Sequence, residues 1–435
     1  MIQGGIMRSR KGERALTVFL AAALAAALGV CARALLQRNG VQARLKEVYQ
    51  GAVLSAIRQM EDIELNLTKA LVSSDQAAAD RYVSRAAAGA GQVGRSLSLL
   101  PLAHPAGKNA VKFVNQAADY LSGLVGSPIE LEDMNRIGSL TDACRSYTLA
   151  LMDARENLPG QAEAAKTFYD AAGDGGGYDS QVSYPTLIYD GPFSDARDFG
   201  APKALGGRTV SKEEAMALAR QIIGEERVKR VSPGADMGGS IPCWGVTVET
   251  EDVTMQAAVT QTGGKLLWLA PEKADFAPEK SLEECRESAL LFLHRNGYEN
   301  MEATYFQVYQ GVAVISFAAA QGDTLLYPDL IKVQLRMDTA QVVGVEARNY
   351  LTNHTFRGAL APALSLEEAE GRVSERLKLT SGRLCLIPTD GGEKLCYEFR
   401  GDFLGHTYLC YINALDGRQE QLLKVIEDGS GIETA

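Results

Sequence analysis

Tyr49, Ala52, Ala56, Met60, Ile63, Leu67 and Leu71 recur at steps of three and four, the spacing that lines residues along one face of a helix. Met134, Ile137, Thr141, Cys144, Thr148 and Leu151 make a second stripe of the same period. Between Gln37 and Tyr169 the chain is rich in Ala, Leu, Gln and Glu and poor in β-branched runs, so helix is expected throughout. Breaks fall at Leu100-Pro101, His104-Pro105, Gly126-Ser127-Pro128 and Leu158-Pro159-Gly160. About four helices with short connections predict a bundle over 37–170, its apolar stripes used up in its own core.

Gly173-Asp174-Gly175-Gly176-Gly177 ends that pattern, since such a run holds neither helix nor strand against its own backbone entropy. Residues 171–204 are read as hinge and connector, and the hinge as the first site for a protease. Beyond it the period changes to two, with strands expected at Trp244–Val248, Val312–Phe317 and Tyr408–Ile412. Three segments open alike: Ser211-Lys-Glu-Glu-Ala, Ser281-Leu-Glu-Glu-Cys and Ser365-Leu-Glu-Glu-Ala. Each is a capping box, in which the serine hydroxyl accepts the third following backbone N–H and that residue's carboxylate accepts the serine's own N–H. A helix of roughly a dozen residues and then alternating strands are expected after each box, at a repeat longer than the roughly 20–50 residues of solenoids. Turns at Thr262-Gly263-Gly264 and Asp416-Gly417 precede the closing strands of the first and third units. The fold class is thus α plus α+β: bundle, connector, then three tandem modules over 205–275, 276–356 and 357–435, each a short helix on a small antiparallel sheet.

Ala15 to Ala32 is an uncharged stretch rich in Ala and Leu, preceded by Arg8, Arg10, Lys11 and Arg14. With its flanks, 15–36, it reaches across a hydrocarbon core of roughly 30 Å. Basic residues before it place the short N-terminal side in the cytoplasm and everything from Gln37 outside. A cleaved signal peptide is the competing reading, because Val30-Cys31-Ala32 offers small residues at a cleavage site; the length of the apolar run and the arginine that follows it argue for retention. Lipid attachment at Cys31 fits less well, because Val30 is bulky.

Of the 435 residues, 46% are hydrophobic and 23% charged, ordinary globular composition with material for more than one core. A net charge of −10 argues against nucleic acid, whose binding rests on cations neutralising phosphates. Seven cysteines, at 31, 144, 243, 285, 385, 396 and 410, form no Cys-x-x-Cys pair and read mainly as small buried residues. Cys385, Cys396 and Cys410 crowd one region, where a disulfide would suit an outer face.

No convergent chemistry emerges. His104, His294, His354 and His406 stand apart, without His-Glu-x-x-His or a neighbouring thiol set, so no metal or cofactor is expected. There is neither a Gly-x-Ser-x-Gly elbow nor a phosphate loop. The glutamate pairs 213/214, 283/284 and 367/368 fall in first helical turns, where they complement the helix dipole. The stretch with the residue types of an interface is Tyr184 to Asp195: Pro185, Gly191 and Pro192 fix the backbone while Tyr184, Ile188, Tyr189 and Phe193 supply rigid apolar surface. An ordered connector whose aromatics pack on the first module is the alternative.

The Ser-x-x-Glu-Ala helix followed by strands ending near Asp-x-x-Gly resembles the PepSY domain, best in the copy from Ser365 to Gly417, with Asn413 where the pattern has Asp, while the middle copy has Ala340 or Gln341 where the pattern has Gly. Tyr184-Pro-Thr-Leu-Ile-Tyr-Asp-Gly-Pro-Phe-Ser-Asp, with an anchor, a helical segment and tandem PepSY-like modules, resembles the YpeB family of spore germination proteins over essentially the whole chain. The resemblance implies a non-enzymatic protein of the inner spore membrane, its C-terminal domains on the cortex side near peptidoglycan. It also implies partnership with a SleB-type cortex-lytic hydrolase. Two other classes remain: a general PepSY-type protease inhibitor, and an extracytoplasmic sensor, against which stand the roughly 14 residues before the anchor, too few for an output domain.

Overall fold

The computed structural model describes residues 47–99, 105–156, 201–272, 276–428 and 431–434. The anchor expected over 15–36, the hinge at Gly173–Gly177 and the Tyr184–Asp195 string lie outside them. Among the described residues no helix is long and apolar enough to cross a membrane. Two compact units result, one drawn from Met1–Leu67 and Val83–Ser180, the other from Thr68–Tyr82 and Gln181–Ala435.

Among the described residues the helical region holds four helices: α1 over 47–71, α2 Gln76–Ser98, α3 Pro105–Leu124 and α4 Leu131–Glu156. Both stripes face inward, with Ala52, Ala56, Met60, Ile63, Leu67 and Leu71 buried from the first and Ile137, Thr141, Cys144, Thr148 and Leu151 from the second. Tyr49 and Met134 are half-buried. The four helices do not fall quite where the prolines put them, because the chain also turns at 72–75. There Asp75 accepts the Ala78 N–H through its carboxylate at 2.7 Å, an N-cap that starts α2. Helix α2 approaches α1 closely at Gly89, where a Cβ would lie 3.0 Å from Ile63 Cγ1.

In the other unit three helix-then-meander segments follow one another. The first is α5 Lys212–Ile223 with β1 Arg230–Pro233, β2 Cys243–Glu249, β3 Thr254–Thr260 and β4 Leu266–Pro271. The second is α6 Leu282–Arg295 with β5 Met301–Tyr309, β6 Val312–Gln321, β7 Thr324–Arg336 and β8 Gln341–Glu346, then a short α7 Arg348–Asn353. The third is α8 Leu366–Glu370 with β9 Lys378–Thr389, β10 Gly392–Phe403, β11 His406–Asn413, β12 Gln419–Asp428 and β13 Gly431–Thr434. All three capping boxes form, each serine Oγ accepting the glutamate N–H at 3.2 Å while the carboxylate accepts the serine N–H at 2.7 to 3.0 Å. Those N–H groups hold the carboxylates of Glu214, Glu284 and Glu368 below the usual glutamate range, Glu284 at about 2 with help from Lys280.

Two expectations are corrected. Helix α8 has 5 residues where a dozen were expected, because Gly371 ends it after Ala369 has been buried. More importantly, the meanders are not three small sheets. Their strands join in one 13-stranded sheet of order β1-β2-β3-β4-β8-β7-β6-β5-β13-β12-β11-β10-β9, and β7 also pairs in parallel with β9 through Leu325↔Cys385 and Leu326↔Leu386. The last eight strands therefore close on themselves, from β7 through β5 and β13 to β9. Tyr305, Ala318, Leu325, Tyr327, Leu330, Cys385, Ile387, Cys396, Leu409, Tyr411, Leu423 and Val425 meet in one core enclosed by those strands. A lone four-stranded meander leaves two unpaired edges; here β5 pairs with β13, β8 with β4, and β7, with 13 residues, is long enough to take β9 as a third neighbour. The first meander joins through a seam of two pairs, Trp268↔Glu346 and Leu269↔Val345.

Turn chemistry sets the registers. Gln310-Gly311 and Leu404-Gly405 are two-residue turns with both φ positive, the form that matches strand twist. At Gly311 a Cβ would sit 1.7 Å from the Phe276 carbonyl, so no other residue fits. The expected glycine of the β7–β8 turn is indeed absent: Ala340 adopts the left-handed conformation instead, at φ 57°.

Candidate functional site

Two polar clusters are built on strands of the closed part of the sheet, the first by register and the second by a loop that reaches back to β7 and β10. Across β9, β10 and β11, Arg383 lies opposite Glu398 and Glu398 opposite Tyr411. Tyr327 of β7, the strand that pairs with β9, reaches the same carboxylate. Tyr327 and Tyr411 both donate to Glu398 Oε2, the latter at 2.8 Å, and Arg383 Nε donates to Oε1 at 2.9 Å. A further Arg383 nitrogen donates to the Tyr327 hydroxyl at 3.0 Å. Burial, and then the charge of Glu398, push the Tyr305, Tyr327 and Tyr411 phenols well up. Burial alone would lower Arg383, but Tyr327 and Glu398 raise it. Both carboxylate oxygens are thus occupied, and burial holds the phenols that donate to them in their protonated forms. Such a cluster can hold strands in register; it offers no proton to a substrate.

The second cluster centres on Asp329, which is fully buried in β7. Arg357 spans two carboxylates. Its Nη1 and Nη2 donate to Asp329 at 2.5 and 2.7 Å, while its Nε and Nη2 donate to Glu393, beside the β9–β10 turn, at 3.1 and 2.6 Å. Burial pulls that guanidinium down, yet the paired carboxylates lift it above its ordinary range. His354 stacks on Tyr350 at 4.2 Å, its Nδ1 standing 2.7 Å from Asp329 Oδ2. Gln321 fixes the backbone here: its Oε1 accepts the Arg357 N–H at 3.0 Å and its Nε2 donates to the Arg357 carbonyl at 2.7 Å. Between these anchors Phe356 is 81% exposed. An exposed phenylalanine is ordinary by itself; one whose successor is pinned through side chain and backbone is a pre-ordered apolar contact.

Tyr184, Pro185, Ile188, Tyr189 and Phe193 lie outside the described residues. His294 is exposed, and His354 belongs to the Asp329 cluster. Among the described residues no group of three or more His, Cys, Asp or Glu could hold a metal. Sequence reading missed Glu398, Arg383, Asp329 and Arg357. The available signal was a carboxylate inside an otherwise apolar strand, Leu395-Cys-Tyr-Glu-Phe399 and Leu325-Leu-Tyr-Pro-Asp-Leu330.

Residues 37–158 match the family described as YpeB N-terminal, and residues 179–359 that described as YpeB sporulation, PepSY1 and PepSY2 domains. The chain is 33% identical over 230 residues to a sporulation protein YpeB of Halalkalibacterium halodurans, covering 52% of this chain and 51% of that one. To the sporulation protein YpeB of Bacillus subtilis it is 28% identical over 226 residues, covering 51% and 50%. The chain spans about half the length of the curated relatives it matches. Among solved structures, the Bacillus megaterium YpeB C-terminal domain is similar at 26% identity and a TM-score of 0.47, over 51% of this chain and 100% of that one.

Proposed function

Because the chain belongs to the YpeB family of sporulation proteins, we propose that it is a non-enzymatic, membrane-anchored partner of a SleB-type cortex-lytic hydrolase in the inner spore membrane. Its exterior faces the cortex, near peptidoglycan. It holds and restrains the hydrolase in the dormant spore and makes it available for cortex hydrolysis on germination. Restraint works by mass action: a partner that binds only the folded, inactive hydrolase stabilises that state by an amount set by its concentration relative to Kd. The third meander acts as a third PepSY-like unit, continuous with the two that the family description covers.

The observation that supports this reading best is the Asp329 cluster. It spends its charge on fixing strands β7 and β10 and the loop after α7, and it leaves Phe356 ordered and exposed. Rigid aromatics presented this way are the groups that dominate protein interfaces. Calorimetric titration of residues 37–435 with a purified SleB-type hydrolase at matched salt should give saturable binding. Phe356→Ala should weaken it at least about tenfold without moving the unfolding midpoint. Unchanged affinity in the variant would remove Phe356 from the interface. No binding by the whole exterior would sink the partnership, and inhibition of an unrelated secreted protease would favour a general inhibitor.

A further inference from the structure

Cys385 and Cys396 stand directly opposite each other on the antiparallel strands β9 and β10. Both thiols are sealed from solvent and belong to the same core, so they point to one face of the hairpin. Opposed residues on antiparallel strands have Cα atoms roughly 4.5–5.5 Å apart, inside the roughly 4.4–6.8 Å that a disulfide spans. Cys410, the other cysteine of this region, lies opposite Phe399 and Leu422 and is absent from that core. Both thiols are free here.

We propose that Cys385 and Cys396 are a redox site: a cross-strand pair that closes to a disulfide by exchange with a low-molecular-weight disulfide. One cysteine thiolate attacks the small disulfide, forms a mixed disulfide and releases one small thiol. The second attacks the protein sulfur of that intermediate and releases the other. Two protein thiols and one small disulfide become one protein disulfide and two small thiols, the protons passing to the departing thiolates. Burial raises both thiols above their ordinary range, so exchange waits for the hairpin to open or proceeds while the chain folds. The staple would sit midway along a hairpin that also carries Arg383, Glu393 and Glu398. Both polar clusters would therefore be fixed by a covalent bond as well as by charge.

The test uses the full-length chain and oxidised glutathione, applied to the folded protein and, separately, during refolding from urea. Remaining thiols are then alkylated and peptides read by mass spectrometry. A peptide pair joined through Cys385 and Cys396 is expected in at least one regime, with two fewer of the seven cysteines alkylated and both restored by reduction. Alkylation of both cysteines in both regimes would overturn the proposal, as would a bond from either one to Cys410. Cys396→Ser should leave Cys385 trapped as its glutathione adduct after refolding. A new link from Cys385 to another cysteine in that variant would refute the specificity of the pair.

Discussion

In the helical unit the largest fully buried side chains are Met60, Leu67, Leu97, Leu121, Ile137 and Leu151, and its buried polar residues are Thr141 and Thr148, of which Thr141 donates back to the Ile137 carbonyl. In the sheet unit the sealed positions include Asp329 and Glu398. The helical core is thus specified by shape and period, whereas the sheet core is specified by which donor meets which carboxylate. Apolar packing tolerates shifts of a few tenths of an ångström. A buried carboxylate does not, because a strand slipped by one residue would leave a charge unpaired in a medium of low polarity. Closing eight strands around one core makes such discrimination useful, since β-branched and aromatic residues alone would accept several registers.

The sharpest way to break the contrast is Arg357→Ala, which strips a sealed Asp329 of its bidentate partner. Loss of about 3–5 kcal/mol is expected, read by urea unfolding with hydrogen exchange localised to β7 and α7. A loss under about 1 kcal/mol would mean that the cluster is ornamental to stability. Leu67→Ala tests the other side. It should cost about 3 kcal/mol through lost packing and a residual cavity, with exchange accelerated in α1 and α2 while β10 is unchanged. Leu404 is 77% exposed and sits at φ 48°, so Leu404→Asn converts its turn to the favoured Asn-Gly pair; a gain of up to about 1 kcal/mol should appear in thermal melts.

The smallest effect is a pH dependence in the helical unit. Burial, then the charges of Asp62 and Glu64, raise the Glu61 carboxyl to about 7 against the opposing pull of Arg58. The folded chain therefore holds a proton that the unfolded chain has released. Its stabilising share is whole below the ordinary glutamate range and is lost as pH rises through about 7. Glu61→Gln should flatten midpoint against pH between about 5 and 8, raising it at the alkaline end only. A variant that parallels the parent across that window would assign the slope to other groups.

Much of this architecture was legible locally. Helical stripes and capping boxes depend on neighbours three or four residues away, and Ser211, Ser281 and Ser365 cap as their motifs required. The turn at 72–75 was marked only by Ser73-Ser74-Asp75, weaker punctuation than the prolines that were read instead. Helix α8 stopped early because Gly371 outweighed the box before it. The merging of the meanders and the polar clusters were hidden for one reason: they depend on meetings between strands and loops far apart in the chain. Glu398 meets Arg383 within a hairpin, but its bond to Tyr327 crosses 71 positions, and no local pattern announces it.

Gln307 in β5 takes Gly431 in β13 as its partner, so the second meander keeps an open flank until nearly all of the third has been made. On the ribosome this is a matter of timing. For the interval between synthesis of β5 and synthesis of β13, unpaired backbone N–H and C=O groups are offered to any strand nearby, including those of other nascent copies. The ring that leaves the finished protein without those edges also makes its assembly slow and non-local, and the chain must either be shielded during that wait or be made sparsely.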